Sequence, residues 1–356
     1  MEFLAEYGLF FAKALTVVAA VGAVVMLIAA VGQRQRGEGE GQIENKRLNA
    51  RYQDLKDALK EATLDPEVAK EKRKAEKKSD KKANKEKAKA AKKQLKEGEL
   101  EPPESEPKLY VLDFDGDIRA SEVERLREEV SVLLNELSEQ DEVLLRLESP
   151  GGVVHGYGLA ASQLRRIKDS GVRLTIAVDK VAASGGYMMA CVADTIISAP
   201  FAVIGSIGVV AQLPNFHRLL KKNDIDFEMI TAGEHKRTLT VFGENTDEDR
   251  TKFREDIEDT HELFKEFVQE NRPALDVPSV ATGEVWFGKR ALAVGLVDTL
   301  QTSDDYIQQR LDSHGVFSLR FVPRKNWQQR LGIATEHALE RVFLRLWQAA
   351  TSRQRF

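Results

Sequence analysis

Six consecutive residues, Ala182-Ala183-Ser184-Gly185-Gly186-Tyr187, carry the clearest chemical signal in this 356-residue chain. A small nucleophile stands between an apolar approach and two glycines. A serine at a sharp strand-to-helix turn exposes its hydroxyl, and the backbone N–H after it is free to face a developing oxyanion. A second unusual turn, Glu148-Ser149-Pro150-Gly151-Gly152, lies upstream. It follows the apolar run 143–147, which has the composition of a buried strand. Two glycine-rich turns at strand ends, one bearing a serine, point to acyl transfer.

A serine nucleophile needs a base. The six histidines are His155, His217, His235, His261, His314 and His337, and none has the local context of a Ser/His/Asp triad. The better candidate is Lys236, which follows the apolar strand pattern Phe227-Glu228-Met229-Ile230. Serine–lysine pairs are a known variant of the hydrolase arrangement. A lysine acts as a base only when neutral, so that chemistry needs its pKa brought from about 10.4 to roughly 7–8. The drop costs on the order of 4 kcal/mol, which the surrounding structure must supply.

Four motifs occur in order: Ser149-Pro150-Gly151-Gly152, Ala183-Ser184-Gly185-Gly186-Tyr187, Gly205-Ser206-Ile207-Gly208-Val209 and Gly295-Leu296-Val297-Asp298. Together they resemble the signal peptide peptidase A family of serine proteases over residues 108–300. The resemblance implies Ser184 as nucleophile and Lys236, fifty-two residues later, as general base. It implies that Ser206 orients the lysine amine. It also implies an oxyanion hole built from the N–H groups of Gly152 and Gly185. The family usually has Asn before Ser-Pro-Gly-Gly, where this chain has Glu148; the departure touches local turn bonding and not the dyad. The implied fold is the spiral of βαβ units shared by caseinolytic and crotonase-type enzymes. Peptide or protein substrates, no cofactor or metal, and a homo-oligomeric ring are also implied. In short family members the serine and lysine come from neighbouring subunits.

The rest of the chain positions this machinery. Residues 14–31 are eighteen consecutive uncharged, mostly apolar positions, the length of a membrane-spanning helix. A cleaved signal peptide is the alternative, but its apolar stretch would be shorter and its leading residues basic rather than Glu2 and Glu6. A single-pass protein of the bacterial inner membrane, in contact with lipid, is the expectation. Lys/Arg after the span favour a cytoplasmic catalytic domain. The family resemblance favours the outer face, and the two indications conflict.

Formal net charge is only −4, unevenly spread. Residues 70–96 hold fourteen Lys/Arg against four Asp/Glu, a net of +10, so the remainder carries −14. An acidic remainder excludes a nucleic-acid-binding profile for the folded part. The basic run reads as a solvated helix or tether, with anionic lipid headgroups as the alternative contact. Cys191 is the single cysteine, which excludes an intramolecular disulfide, and it sits in an apolar run with no companion histidine.

The expected organisation is a transmembrane segment over 1–32, a charged and partly helical linker over 33–107, a peptidase domain over 108–325, and a C-terminal amphipathic helix over 326–356. Strands are expected at 109–114, 143–147, 174–178 and 195–197. Helices are expected at 121–137, 157–168, from Ser184 onward, and at 247–271. That alternation predicts an α/β domain of βαβ units. The functional expectation is a membrane-anchored Ser–Lys endopeptidase acting on peptides or membrane-released segments such as signal-peptide remnants. The alternatives are an acyl-CoA-type enzyme on the same fold and a catalytically silent membrane scaffold.

Overall fold

The computed structural model describes Thr16, residues 41–63 and residues 106–323 except Glu234. The apolar stretch at 14–31, the basic run at 70–96 and the C-terminal helix expected after 326 therefore lie outside the described residues, apart from Thr16. The compact unit spanning Ile43–Phe321 holds the site.

The strands are β1 (Gly41–Arg47), β2 (Lys108–Asp115), β3 (Glu142–Glu148), β4 (Arg173–Val178), β5 (Val181–Ala183), β6 (Thr195–Ser198), β7 (Val203–Gly205), β8 (Val285–Phe287), β9 (Thr299–Leu300) and β10 (Gly315–Pro323). The helices are α1 (Leu48–Thr63), α2 (Val123–Leu133), α3 (Val154–Asp169), α4 (Gly185–Ala190), α5 (His217–Lys222), α6 (Asp247–Asn271), α7 (Val277–Val280), α8 (Gly288–Ala293) and α9 (Ser303–Arg310). The larger sheet runs β1-β10-β2-β3-β4-β6-β9, with every pairing from β10 to β9 parallel. A smaller sheet, β5-β7-β8, leads into the Ser184 and Ser206 turns.

A parallel sheet is covered on both faces, so its strands are apolar almost throughout and the two residue sets alternate. Tyr110, Leu112 and Phe114 of β2 join Val143, Leu145 and Leu147 of β3 in a core with α2 and α3. Leu109, Val111 and Leu144 point the other way, into a second core with Leu48, Tyr306 and Ile307 of α1 and α9. The α/β reading holds. One boundary differs from expectation. The stretch 41–63, expected to be linker, places β1 on the sheet edge and Leu48 in the second core. Asn49 fixes the attachment. Its amide donates to the carbonyls of Leu311 and His314 at 2.9 Å each, and its carbonyl accepts from Val316 N–H at 2.7 Å. The polar sequence hid this because the apolar contacts are few, Leu48 and Tyr52 one turn apart, and an amide side chain completes the joint.

Glu129 on α2 is fully buried. Its Oε1 accepts from Arg125 Nη1 at 3.0 Å and from Phe321 N–H at 2.9 Å, while Oε2 has no partner among the described residues. Burial pushes its carboxyl up to about 7, against the pull of Arg125. A carboxyl raised in the folded state stabilises the fold fully below its unfolded value of about 4.5, and that contribution is lost as pH rises towards 7. We expect urea-unfolding stability to fall across that window by on the order of 3 kcal/mol from this group. Glu129→Gln, measured at the same pH values, should flatten that slope.

Candidate active site

The chain enters the site along β5 and turns at Ser184, with φ 51° and ψ −119°. A positive φ strains a residue with a Cβ and persists only where its neighbours hold it. Two contacts do so. Ser184 N–H donates to the Gly205 carbonyl at 2.7 Å, and α4 begins at the next residue, with Met188 N–H donating back to the Ser184 carbonyl at 3.0 Å. At the end of β7, Ser206 repeats the geometry with φ 50°, and its N–H donates to the Glu284 carbonyl at 2.7 Å. The two serines thus stand at matching ends of adjacent parallel strands.

The Ser-Pro-Gly-Gly turn closes over Ser184. Ser149 N–H donates to Val181 O and Ser149 O accepts from Ala183 N–H, so the turn continues the β5 edge. Gly151 has φ 87°, and a Cβ on it would lie 2.6 Å from the Ala183 carbonyl and 2.7 Å from both Gly185 N and Ser184 Cβ. Only glycine fits. The Gly151 N–H is already used, donating to Ser149 Oγ at 3.1 Å. Gly152 N–H has no such partner among the described residues. Gly185 N–H belongs to the first turn of α4, where amides have no intrahelical acceptor. The two amides left over are the pair expected for an oxyanion hole.

A buried relay sets the turn. Tyr157 OH on α3 donates to the Asp117 carbonyl at 2.7 Å. Its proton being used there, Ser149 Oγ is the donor in their 2.6 Å bond. The same ring packs on Gly185, where a Cβ would lie 2.4 Å from Tyr157 Cγ. One side chain therefore supports both the Ser149 turn and the start of α4.

These elements enclose a cavity of about 1080 Å³. Ser184, Gly185, Gly151, Gly152 and Ser206 all line it. Lys236 does not. It is exposed, with its N–H donating to Gly233 O at 3.2 Å. The stretch Phe227–Ile230, expected to be a strand, is irregular and exposed. Phe227 packs tilted against Phe242 with ring centroids 5.8 Å apart, so it serves an aromatic cluster instead of a ladder. Val210, 81 % exposed, and Ile230, 95 % exposed, lie on the same long arm between β7 and α6.

Two contributions go unread in the sequence. The relay through Tyr157 is one. The other is α6, expected only as a charged helix, whose Thr260, Leu263, Phe264 and Phe267 wall the cavity. Their spacing at i, i+3, i+4 and i+7 is the available signal. Cys191 is buried, and burial pushes its thiol up to about 12, which leaves it unreactive.

The N-terminal model of peptidase family S49 matches residues 2–164, and the peptidase family S49 model matches residues 166–317. The chain belongs to peptidase family S49 and is a serine protease, which sets aside the thioester and scaffold alternatives. It is 50% identical to the Probable protease SohB of Haemophilus influenzae over 95% of this chain and 94% of that protein. It is also 50% identical to the Probable protease SohB of Buchnera aphidicola subsp. Schlechtendalia chinensis, over 87% of this chain and 100% of that protein. Among solved structures, a mutant of the 1510-N membrane-bound stomatin-specific protease in complex with a substrate peptide aligns over 64% of this chain and 96% of that one. The identity is 13% and the TM-score 0.40.

Tyr157→Phe keeps the ring under Gly185 and removes the relay. The Ser149 hydroxyl then loses its acceptor and the Asp117 carbonyl its donor. We expect a stability loss of about 1–2 kcal/mol by urea unfolding. If the turn positions oxyanion donors rather than substrate, steady-state peptide hydrolysis should show kcat lowered about tenfold with KM little changed.

Proposed function

We propose that this chain is a membrane-anchored Ser–Lys endopeptidase whose active site is completed between subunits. The observation that carries this reading is the strained Ser184 turn, with two unused amides beside it in an uncharged cavity. In this reading Ser184 Oγ attacks the scissile carbonyl while the neutral amine of Lys236 takes its proton. The N–H groups of Gly152 and Gly185 hold the oxyanion. Collapse of the tetrahedral species breaks the C–N bond, and the lysine returns the proton to the leaving amine. Water, deprotonated by the same amine, then hydrolyses the acyl-enzyme. Ser206, in the matching turn at the cavity wall, orients the amine.

A shared site is supported by where Lys236 lies: exposed and off the cavity of its own chain, on an arm that presents Val210 and Ile230 to solvent. A neighbouring copy packed on that arm would bury those side chains and deliver its lysine. A closed homo-oligomeric ring satisfies this for every subunit. The superhelical βαβ spiral is the fold we read into the two-sheet order. The apolar stretch at 14–31 would anchor the protein in the bacterial inner membrane and hold rings close to lipid. Substrates would be peptides or membrane-released segments, signal-peptide remnants among them, with no nucleic acid and no cofactor involved.

Ser184→Ala should lose peptide hydrolysis by roughly 10⁶-fold and all labelling by a fluorophosphonate probe. Lys236→Arg keeps the charge but cannot give up its proton, so it should be as inactive as Lys236→Ala. The two dead variants, Ser184→Ala and Lys236→Ala, should regain part of their activity when mixed and reassembled. No recovery on mixing, alongside an active monomer, would place the dyad within one chain.

A further inference from the structure

We infer that the turn 199–202 and the edge strand β8 form a contact surface for an anionic lipid layer. Phe201 and Phe287 enter the layer, and Lys289 and Arg290 meet its headgroups. The inference rests on the membrane-anchored reading above and adds the place where the catalytic unit itself touches the bilayer.

Phe201 is 84 % exposed, the most exposed aromatic side chain among the described residues. It stands at the tip of a turn closed by Ala202 N–H, which donates to the Ala199 carbonyl at 3.1 Å, with Pro200 at the other corner. Its ring belongs to neither core. The tip is fixed by its neighbours. Pro200 O accepts from Lys289 N–H at 3.0 Å, and Ala202 O accepts from Gly288 N–H at 2.8 Å. A Cβ on Gly288 would lie 2.1 Å from the Ala199 carbonyl oxygen, so the two segments touch backbone to backbone. The same junction brings Phe287 beside Phe201, edge to face, with ring centroids 6.3 Å apart. Val285 lies two residues back on the same face of β8 and is exposed as well.

The occupant follows from charge. Lys289 and Arg290 come next in the chain after this junction, both exposed and without an ion-pair partner among the described residues. Glu284, ahead of β8, is the nearest carboxylate in sequence, and it accepts from Thr282 Oγ1 at 3.0 Å. Residues outside 70–96 carry a net of −14, so two free cations beside two exposed rings depart from the acidic character of the chain. Rings flanked by cations suit the boundary between acyl chains and anionic headgroups: the rings leave water and the cations stay at the level of the phosphates. A ring this far out on a turn gives a protein partner little surface to enclose it, whereas lipid closes round it. Two rings bind weakly by themselves, so the contact orients a tethered chain and does not recruit a free one. β7 runs from this turn to Ser206, so the contact also fixes how far the cavity stands from the lipid, within roughly 16 Å of extended chain.

The test uses the full-length protein, labelled with NBD at Phe201→Cys or, as a control, at Asp312→Cys on the exposed turn before β10. Cys191 is buried and takes no label. Each protein is reconstituted into vesicles of phosphatidylglycerol and phosphatidylethanolamine, with or without doxyl-labelled lipid. The doxyl lipid should quench the label at residue 201 at least about threefold more than the label at residue 312. Lys289→Glu together with Arg290→Glu should bring the two labels level, as should vesicles of phosphatidylcholine alone, while peptide hydrolysis in detergent stays unchanged. Equal quenching of the two labels in anionic vesicles that retain the chain would overturn the inference. So would self-quenching of the residue 201 label in detergent without lipid, which would give the patch to a second copy of the chain. A chain that does not float with vesicles at all would overturn the anchored reading, and this contact with it.

Discussion

The contact between Gly151 and the Ser184–Gly185 step constrains everything around it. Two turns from separate parts of the chain meet with no space for even one methyl group. That proximity places Gly152 and Gly185, one from each turn, in the same cavity as Ser184. It requires Ser149 to pair along β5, Gly205 to receive the Ser184 N–H, and Tyr157 to brace the turn from below. The larger sheet supplies the frame. β3 runs straight into Ser149, and β4 leads within three residues to β5. The parallel register of β3 with β4 therefore decides whether the turns meet at all.

Much of this was legible because it is local. Strands 109–114, 143–147, 174–178 and 195–197 are buried on both faces, so their apolar runs stand out from the charged helices. The helix at 247–271 announces its start, since Thr246 and Asp249 form a reciprocal capping box. The glycine turns were legible for a related reason: backbone approaching backbone leaves a residue type that little else explains. What stayed hidden depends on partners distant in sequence. Asn49 bonds to residues more than 260 positions away, and nothing in a polar helix marks it. Tyr157 reads as an ordinary apolar position in a helix, while its hydroxyl is the joint between two turns. Phe227–Ile230 misled because Phe227 packs on a distant ring, Phe242, while Met229 and Ile230 stay exposed, and that alternation has the same period as a strand.

The Gly-Leu-Val-Asp motif shows how a family signature can be structural rather than chemical. Asp298 receives two bonds from Arg272, at 2.6 and 2.8 Å, and one from Ile196 N–H at 2.7 Å. Burial alone would raise its carboxyl, but these donors more than offset it and hold it below the usual range. Leu296 O accepts from buried Tyr187 OH at 3.0 Å. The motif thus fastens the end of α6, the start of β6 and the core of α4 at one point, and fixes the wall of the cavity relative to the Ser184 turn.

The Asn49 joint also determines where mechanical load would enter the molecule. Tension on the chain ahead of residue 41 meets β1 first, then the three hydrogen bonds that clasp Asn49 to the turn before β10 and to Val316 at the start of that strand. In the sheet order, β10 is separated from β4 by β2 and β3, and the Ser184 turn follows β4 in the chain. A tug on that end is thus taken up at the far margin of the sheet, and the strained serine is spared the force.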